Sequence, residues 1–150
     1  MKNGKIIKEL STAYAMELET VQNYIAASVN LDGVRSDVIK KALAADVTTE
    51  IGHAQLLANR IKTIGGVVPG SFDLARGQKS LQPKKDTTDI VAVIKGVIEA
   101  EEGAIAQYNK LIKLCDGVDY VTQDMAIGIL SGEEDHRREF IGFLKEYQKK

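Results

Sequence analysis

Apolar residues recur in steps of three and four through four proline-free segments, and an acidic residue interrupts each row near its middle. The first segment, about residues 5–32, carries Leu10, Tyr14, Glu17, Val21, Tyr24, Ser28 and Leu31 in that rhythm. The second, about 36–64, carries Ile39, Leu43, Asp46, Glu50, His53, Leu57 and Ile64, with Ile61 beside the row. The third, about 88–116, runs Ile90, Ile94, Val97, Glu101, Ala104, Tyr108, Leu111 and Cys115. The fourth, about 118–149, runs Thr122, Ala126, Ile129, Glu133, His136, Phe140, Phe143 and Tyr147. Spacing of three and four puts each row on one helical face, so the chain predicts four long helices with narrow packing seams.

The stops agree with that division. Asp32-Gly33, Gly65-Gly66 and Gly117 supply glycines for left-handed helix ends, Ser36 is a suitable N-cap, and the third helix is expected after Thr87-Thr88. Two short turns make two antiparallel hairpins. Both prolines, Pro69 and Pro83, fall in the stretch 65–87, a long crossover between the hairpins. Val67, Val68, Phe72, Leu74 and Leu81 predict that this crossover packs along the bundle and has room for a short helical turn. The expected fold is all-α: a single domain over residues 1–150, an antiparallel four-helix bundle of two hairpins joined by one long crossover.

The only two histidines, His53 and His136, each follow a glutamate by three residues, in Glu50-Ile51-Gly52-His53 and Glu133-Glu134-Asp135-His136. On a helix each pair aims a carboxylate and an imidazole at the same place. Two such pairs hold two metal ions when two further helices each add one carboxylate, and Glu17 and Glu101 stand in the rows to do so. The hairpins repeat one another in register. Glu17 precedes Glu50 by 33 positions and Glu101 precedes Glu133 by 32, and each leading glutamate is followed at +4 by Val21 or Ile105 and at +7 by Tyr24 or Tyr108. One Glu-x-x-His is a weak signal; two that use every histidine, matched to in-register glutamates, are a strong one.

Most helical glutamates belong to solvated faces, and Glu9, Glu19, Glu99, Glu102 and Glu134 are expected there. Glu17, Glu50, Glu101 and Glu133 interrupt apolar rows instead. Four carboxylates meeting in a core without cations are heavily penalised by desolvation and mutual repulsion, which two divalent ions would offset. Glu101 is preferred over Glu99 and Glu102 because it alone lies on the row and repeats the +7 tyrosine. Glu102 is the reserve. Tyr24 and Tyr108 read as core aromatics with hydrogen-bonded hydroxyls, or as groups backing the site. Gly52 and Gly103 flank it and would permit close approach of a neighbour. Cys115 reads as a small core residue.

Composition narrows the functional classes. Twenty basic against twenty-one acidic residues leave a net charge of −1, without the basic excess of a nucleic-acid binder. Lysines near both ends (Lys2, Lys5, Lys8; Lys145, Lys149, Lys150) read as solvated helix termini. A single cysteine excludes an intrachain disulfide and a four-thiolate site and fits a reducing compartment. With no apolar run of ~20 residues and no signal-like start, no membrane association and a cytoplasmic location are expected.

The chain resembles the ferritin-like superfamily of di-iron carboxylate proteins, and within it bacterioferritins. The resemblance rests on Glu17-Leu18 through Gln22 and Tyr24, on Asp119-Tyr120-Val121 with Asp124-Met125, and on Glu133-Glu134-x-His136. It implies terminal ligands Glu17 and Glu101, bridging ligands Glu50 and Glu133, and one histidine per ion at His53 and His136. It implies ferroxidation of two iron ions per chain by O₂ or peroxide, with manganese the other candidate metal, for iron storage, detoxification and protection from oxidative stress. Three departures qualify the resemblance. Ile51 stands where bacterioferritins place a haem-binding methionine, so no haem is expected. Thr49 and Gly132 replace aspartates that often precede the two motif glutamates. Fourteen residues after His136 leave no room for the further helix of 24-subunit cages, so a dimer, a dodecamer or another homo-oligomeric cage is expected. DNA-protecting mini-ferritins place metals between subunits, whereas this chain supplies all six candidate ligands itself. A rubrerythrin-like peroxide reductase using an external electron donor is the second reading, with Glu102 or Glu99 as its extra ligand. A non-redox di-metal bundle is the third.

Overall fold

The computed structural model describes residues 2–149. Four helices account for most of them: α1 Lys2–Asn30, α2 Asp37–Thr63, α3 Ile90–Cys115 and α4 Tyr120–Tyr147. At ~1.5 Å per residue each is about 40 Å long. Among the described residues there is no strand, and no helix is long and apolar enough to cross a membrane. The expected bundle of two hairpins and a crossover is the observed fold.

The helix ends follow from local chemistry. Gly33, Gly65 and Gly117 have positive φ at the ends of the two hairpin turns and of α2, a conformation that side chains with a Cβ resist. α3 and α4 are capped by Asp89 and Asp119, whose carboxylates accept from the backbone N–H of Ala92 and Thr122. The start of α3 therefore lies at Asp89, past Thr87-Thr88. Ser36 holds the cap position of α2, yet its hydroxyl donates back to Gly33 O and caps no helical N–H. Asp119 does more than cap: it pairs with Arg60 at the far end of α2 at 2.8 Å, and Arg60 Nε also donates to Thr122 Oγ1. That network ties the two hairpins together at one end of the bundle.

α1 and α3 lie side by side and antiparallel. The end of α1 meets the start of α3, where Asp32 N donates to Thr87 O at 2.9 Å and Thr87 Oγ1 donates to Asp32 Oδ2. The crossover makes this possible by carrying the chain back along the whole bundle. It contains two 3₁₀ turns, Ser71–Asp73 and Lys79–Leu81. Leu81 is buried, Val68 packs against the core and Leu74 is half-buried, but Val67 and Phe72 are exposed, so the crossover is anchored at fewer points than its apolar content predicts.

Two anchors are backbone-specific. At Gly96 the crossover passes so close to α3 that an added Cβ would lie 2.3 Å from Ser80 O, and Ser80 Oγ donates to Gly96 O. Glu19, expected on a solvated face, is buried because its carboxylate accepts from the backbone N–H of Gly77 and Gln78. Glu9 is likewise buried, accepting from Gln107 and paired with Lys110 at 2.8 Å. Both corrections have the same cause: a charged group leaves solvent when a distant segment offers it matched donors. Glu99, Glu102 and Glu134 are exposed, as are Lys5, Lys8, Lys145 and Lys149; Lys150 lies outside the described residues.

The core is divided. One apolar cluster holds Ile6, Leu10, Leu57, Ile61, Leu111 and Ile129 at one end of the bundle. The other holds Leu31, Ile39, Leu43, Ile94, Val97 and Phe140 at the opposite end. Between them lies a buried polar layer.

Candidate metal centre

Each helix of the bundle contributes to that layer. α1 brings Glu17, α2 brings Glu50 and His53, α3 brings Glu101, and α4 brings Glu133 and His136. The four carboxylates are almost wholly shielded, at 1–3 % exposure, although they are the groups water solvates best. Glu101 is in the layer, while its neighbours Glu99 and Glu102 face solvent. Gly52 has no neighbour that glycine alone would admit, and Gly103 has only ordinary contact with Met16. Neither is required by the site.

The six groups form two sets. Glu17, Glu50, His53 and Glu133 each offer one ligand atom within 4.8 Å of the others, and so do Glu50, Glu101, Glu133 and His136. Glu50 and Glu133 belong to both. His53 Nδ1 lies 3.0 Å from Glu133 Oε1, 3.2 Å from Glu50 Oε2 and 3.6 Å from Glu17 Oε1. His136 Nδ1 lies 3.4 Å from Glu50 Oε1, 3.8 Å from Glu101 Oε1 and 3.9 Å from Glu133 Oε2.

The tyrosines of the repeat cross between hairpins. Tyr24 OH on α1 donates to Glu101 Oε1 at 2.6 Å, and Tyr108 OH on α3 donates to Glu17 Oε1. Burial, together with the adjacent carboxylates, keeps both phenols protonated well above their ordinary range, so they remain donors. In each case the oxygen that is held, Oε1, is also the one nearest the histidine of its set, so each tyrosine fixes the carboxylate's orientation in the layer.

Asp46 stands on the α2 row, at a position that the Glu-x-x-His pattern does not single out as a site residue. Its carboxylate is buried, and Oδ1 lies 3.3 Å from His136 Nε2. The available signal was its position in the seam, one turn before Glu50.

Without cations, protons must balance the layer. Burial, helped by Glu50, raises Glu17 to about 8. Burial, helped by Glu101 and Glu17, raises Glu133 to about 10 against the pull of His53. Burial also resists ionisation of Glu50, but the proton-bearing Glu17, His136 and His53 around it hold it below the usual carboxylate range. His53 rises to about 12: burial disfavours its cation, and Glu133, Glu17 and Glu50 outweigh burial. His136 rises to about 11 through Glu101 and Glu50, against burial.

Even so, the layer is not satisfied. Glu50 Oε1, Glu101 Oε2, Glu133 Oε1, His136 Nδ1 and Asp46 Oδ2 are buried without a hydrogen-bond partner. All five are carboxylate oxygens or imidazole nitrogen, the ligand types that a divalent transition metal takes, and four of them, all but Asp46 Oδ2, come from one of the two sets and converge from three helices. The donor set fits two such ions.

A small cavity reaches the layer between α1 and α3, bordered by Met16, Thr20, Gln78, Ala100 and Ala104, with Glu17, Glu50, Glu101 and Glu133 at its inner end. The crossover covers it at Gln78, whose amide donates to Thr20 and accepts from Asn23.

Comparison with known proteins places this architecture. A family model described as "Ferritin-like domain" matches residues 7–149. The chain is 28 % identical over 140 residues to a "DNA protection during starvation protein" of Pyrococcus furiosus, covering 91 % of this chain and 75 % of that protein. It is 26 % identical over 137 residues to a bacterioferritin of Desulfovibrio desulfuricans, covering 90 % and 72 %. Among solved structures, a dodecameric thioferritin, the bacterioferritin-related protein of Bacteroides fragilis, superposes with a TM-score of 0.85 at 25 % identity, covering 95 % of this chain and 86 % of that one. A ferritin-like di-iron carboxylate protein of Bacillus anthracis gives 0.85 at 21 % identity, covering 96 % and 98 %, a likeness of fold. With nearly its whole length matched and four carboxylates and two histidines meeting at the middle of the bundle, this chain belongs to the ferritin-like family, in the neighbourhood of bacterioferritin.

Proposed function

We propose that this protein is a ferroxidase that oxidises Fe(II) with O₂ or peroxide, serving iron storage and detoxification. The observation that carries this reading is the pair of four-residue sets sharing Glu50 and Glu133. Two ions held by shared carboxylates are close enough to act on one oxidant. Two Fe(II) and two protons reduce O₂ to hydrogen peroxide, and two more Fe(II) and two protons take peroxide to water. Pairing the ions avoids the unfavourable one-electron reduction of O₂.

The residues have separable roles in this reading. Glu17 with His53, and Glu101 with His136, each hold one iron, and Glu50 and Glu133 hold both. Carboxylates favour Fe(III) over Fe(II) and so drive oxidation. Tyr108 and Tyr24 keep Glu17 and Glu101 aimed inward. Mixed carboxylate and imidazole ligation suits iron, with manganese the other metal it accommodates. The cavity beside Met16 and Gln78 offers small reactants a path. Cytoplasmic location is part of the proposal, supported by a lone buried thiol at Cys115. So is a homo-oligomer, for which the dodecameric relative is the precedent.

A rubrerythrin-like peroxide reductase would draw a further carboxylate from α3. Glu99 and Glu102 both face solvent, which favours the ferroxidase reading. The test is to mix metal-free protein anaerobically with two Fe(II) per chain, then add O₂ or peroxide. Ferric absorbance in the near ultraviolet should grow much faster than for Fe(II) in the same buffer. Oxidation no faster than in buffer, with either oxidant, would leave a structural metal site as the better account.

A further inference from the structure

The two histidines of the layer are not equivalent, although the sequence repeat that produces them is nearly symmetric. His136 presents Nδ1 to Glu50, Glu101 and Glu133 and turns Nε2 outward to Asp46 Oδ1 at 3.3 Å. Asp46 is only 8 % exposed, and its other oxygen has no hydrogen-bond partner, so no second hydrogen bond accounts for its burial. His53 also presents Nδ1 inward, and its close carboxylate contacts are through Nδ1 alone. The repeat position matching Asp46, four residues before Glu133, is Ile129, which is buried in the apolar core. Beside the outer edge of His53 stands Gly132: a Cβ there would meet His53 Cε1 and Nε2 at 3.9 Å.

A carboxylate behind a metal-bound imidazole holds the proton on the outer nitrogen, leaves the inner lone pair free and makes it more basic; losing such a partner typically weakens metal binding by ~10–100-fold. We propose that Asp46 is a positioning residue for His136 and makes the two metal positions unequal, the ion on His136 being held tightly and the ion on His53 exchanging readily. The inference rests on reading the six groups as a dinuclear site. In a protein that turns over Fe(II), it assigns the tighter position to Glu50, Glu101, Glu133 and His136, and makes the Glu17–His53 side the position where iron is loaded and released.

The experiment is an anaerobic titration of metal-free protein with Co(II), followed by calorimetry and by visible absorption, which needs no turnover. The native protein should bind two ions in steps separated by about tenfold or more. His136→Ala should remove the tight step and His53→Ala the weak one. Asp46→Ala should weaken the tight step by about tenfold or more and leave the weak step in place, with Asp46→Asn in between because it keeps an acceptor but loses the charge. Gly132→Asp, whose Cβ would make only ordinary contact with His53 and so places a carboxylate beside that ring, should tighten the weak step. Two equal steps in the native protein overturn the proposal, as does an Asp46→Ala variant that weakens both steps alike or neither. If Asp46→Ala does not fold, an unchanged weak step in folded Gly132→Asp overturns it instead. Absence of any Co(II) binding to the native protein is a different result and removes the dinuclear site itself.

Discussion

Tyr24 on α1 donates a buried 2.6 Å hydrogen bond to Glu101 on α3, and Tyr108 on α3 returns the same contact to Glu17 on α1. The bonds cross between hairpins, so each half of the molecule orients a carboxylate of the other. Tyr24→Phe would leave Glu101 Oε1 without this donor beside an Oε2 that already lacks a partner. The metal-free protein should lose about 1–3 kcal/mol of stability. Denaturant unfolding at neutral pH measures it, and an unchanged midpoint and slope would show that the bond contributes nothing.

Glu50 belongs to both four-residue sets and His136 to one. Glu50→Ala is expected to abolish stoichiometric binding of two divalent ions per chain, and His136→Ala to leave no more than one. Helicity should persist in both, because the apolar clusters on either side of the layer are untouched. Calorimetry with circular dichroism on the same samples checks this. Two-ion binding in both variants would remove the site.

Of the three α3 glutamates, only Glu101 faces the layer. Glu101→Ala should slow Fe(II) oxidation at least ten times more than Glu99→Ala or Glu102→Ala. Equal losses at 101 and 102 would instead support two α3 carboxylates acting together, the rubrerythrin-like arrangement.

Protons and metal compete for the layer, and this fixes a pH dependence. Glu17, pushed by burial from 4.5 to about 8, and Asp46, pushed by burial from 3.8 to about 7, bind protons more tightly folded than unfolded. Their contribution is complete below the unfolded values and is lost as pH rises through the folded ones. His53 and His136, raised to about 12 and 11 by the surrounding carboxylates against the effect of burial, act with the same sign above their unfolded 6.5. Glu50 acts oppositely, losing its contribution below 4.5. The melting temperature of metal-free protein should therefore be highest near about pH 5 and fall toward pH 8. Metal replaces these protons, so the rise in melting temperature on loading should be larger at pH 8 than at pH 5. Scanning calorimetry with and without Co(II) tests both, and a pH-independent increment would show that loading displaces no protons.

Glu19 fastens the crossover over the cavity through the backbone N–H groups of Gly77 and Gln78. Glu19→Ala should leave those donors unpaired, destabilise the fold by about 1–3 kcal/mol and free the 75–80 stretch. Hydrogen exchange of that stretch should speed up while α1–α4 stay protected. Unchanged exchange would mean that the packing at Gly96 and Leu81 holds the segment alone.

Much of this was determined by the sequence itself. Rows such as Ile94, Val97, Glu101, Ala104 and Tyr108 are defined by one helix's own geometry, so helical faces, their interruptions and the Glu-x-x-His pairs can be read without any partner. Glycines with positive φ mark the turns for the same local reason. The division into two hairpins and a crossover then follows from where Gly33, Gly117 and the two prolines stand.

Tertiary structure alone decided which groups meet across helices. Tyr24 lies two turns from Glu17 on its own helix, yet bonds Glu101, because α1 and α3 run antiparallel at a register no single-helix pattern encodes. Glu19 and Glu9 look like surface charges until the crossover and α3 present donors from far along the chain. Asp46 stands behind His136 rather than in either four-residue set, since one helical turn separates it from Glu50 and α4 determines what faces it. A helix's period is set by its own backbone hydrogen bonds, whereas the partner of a buried polar group is set by the packing of whole helices against one another.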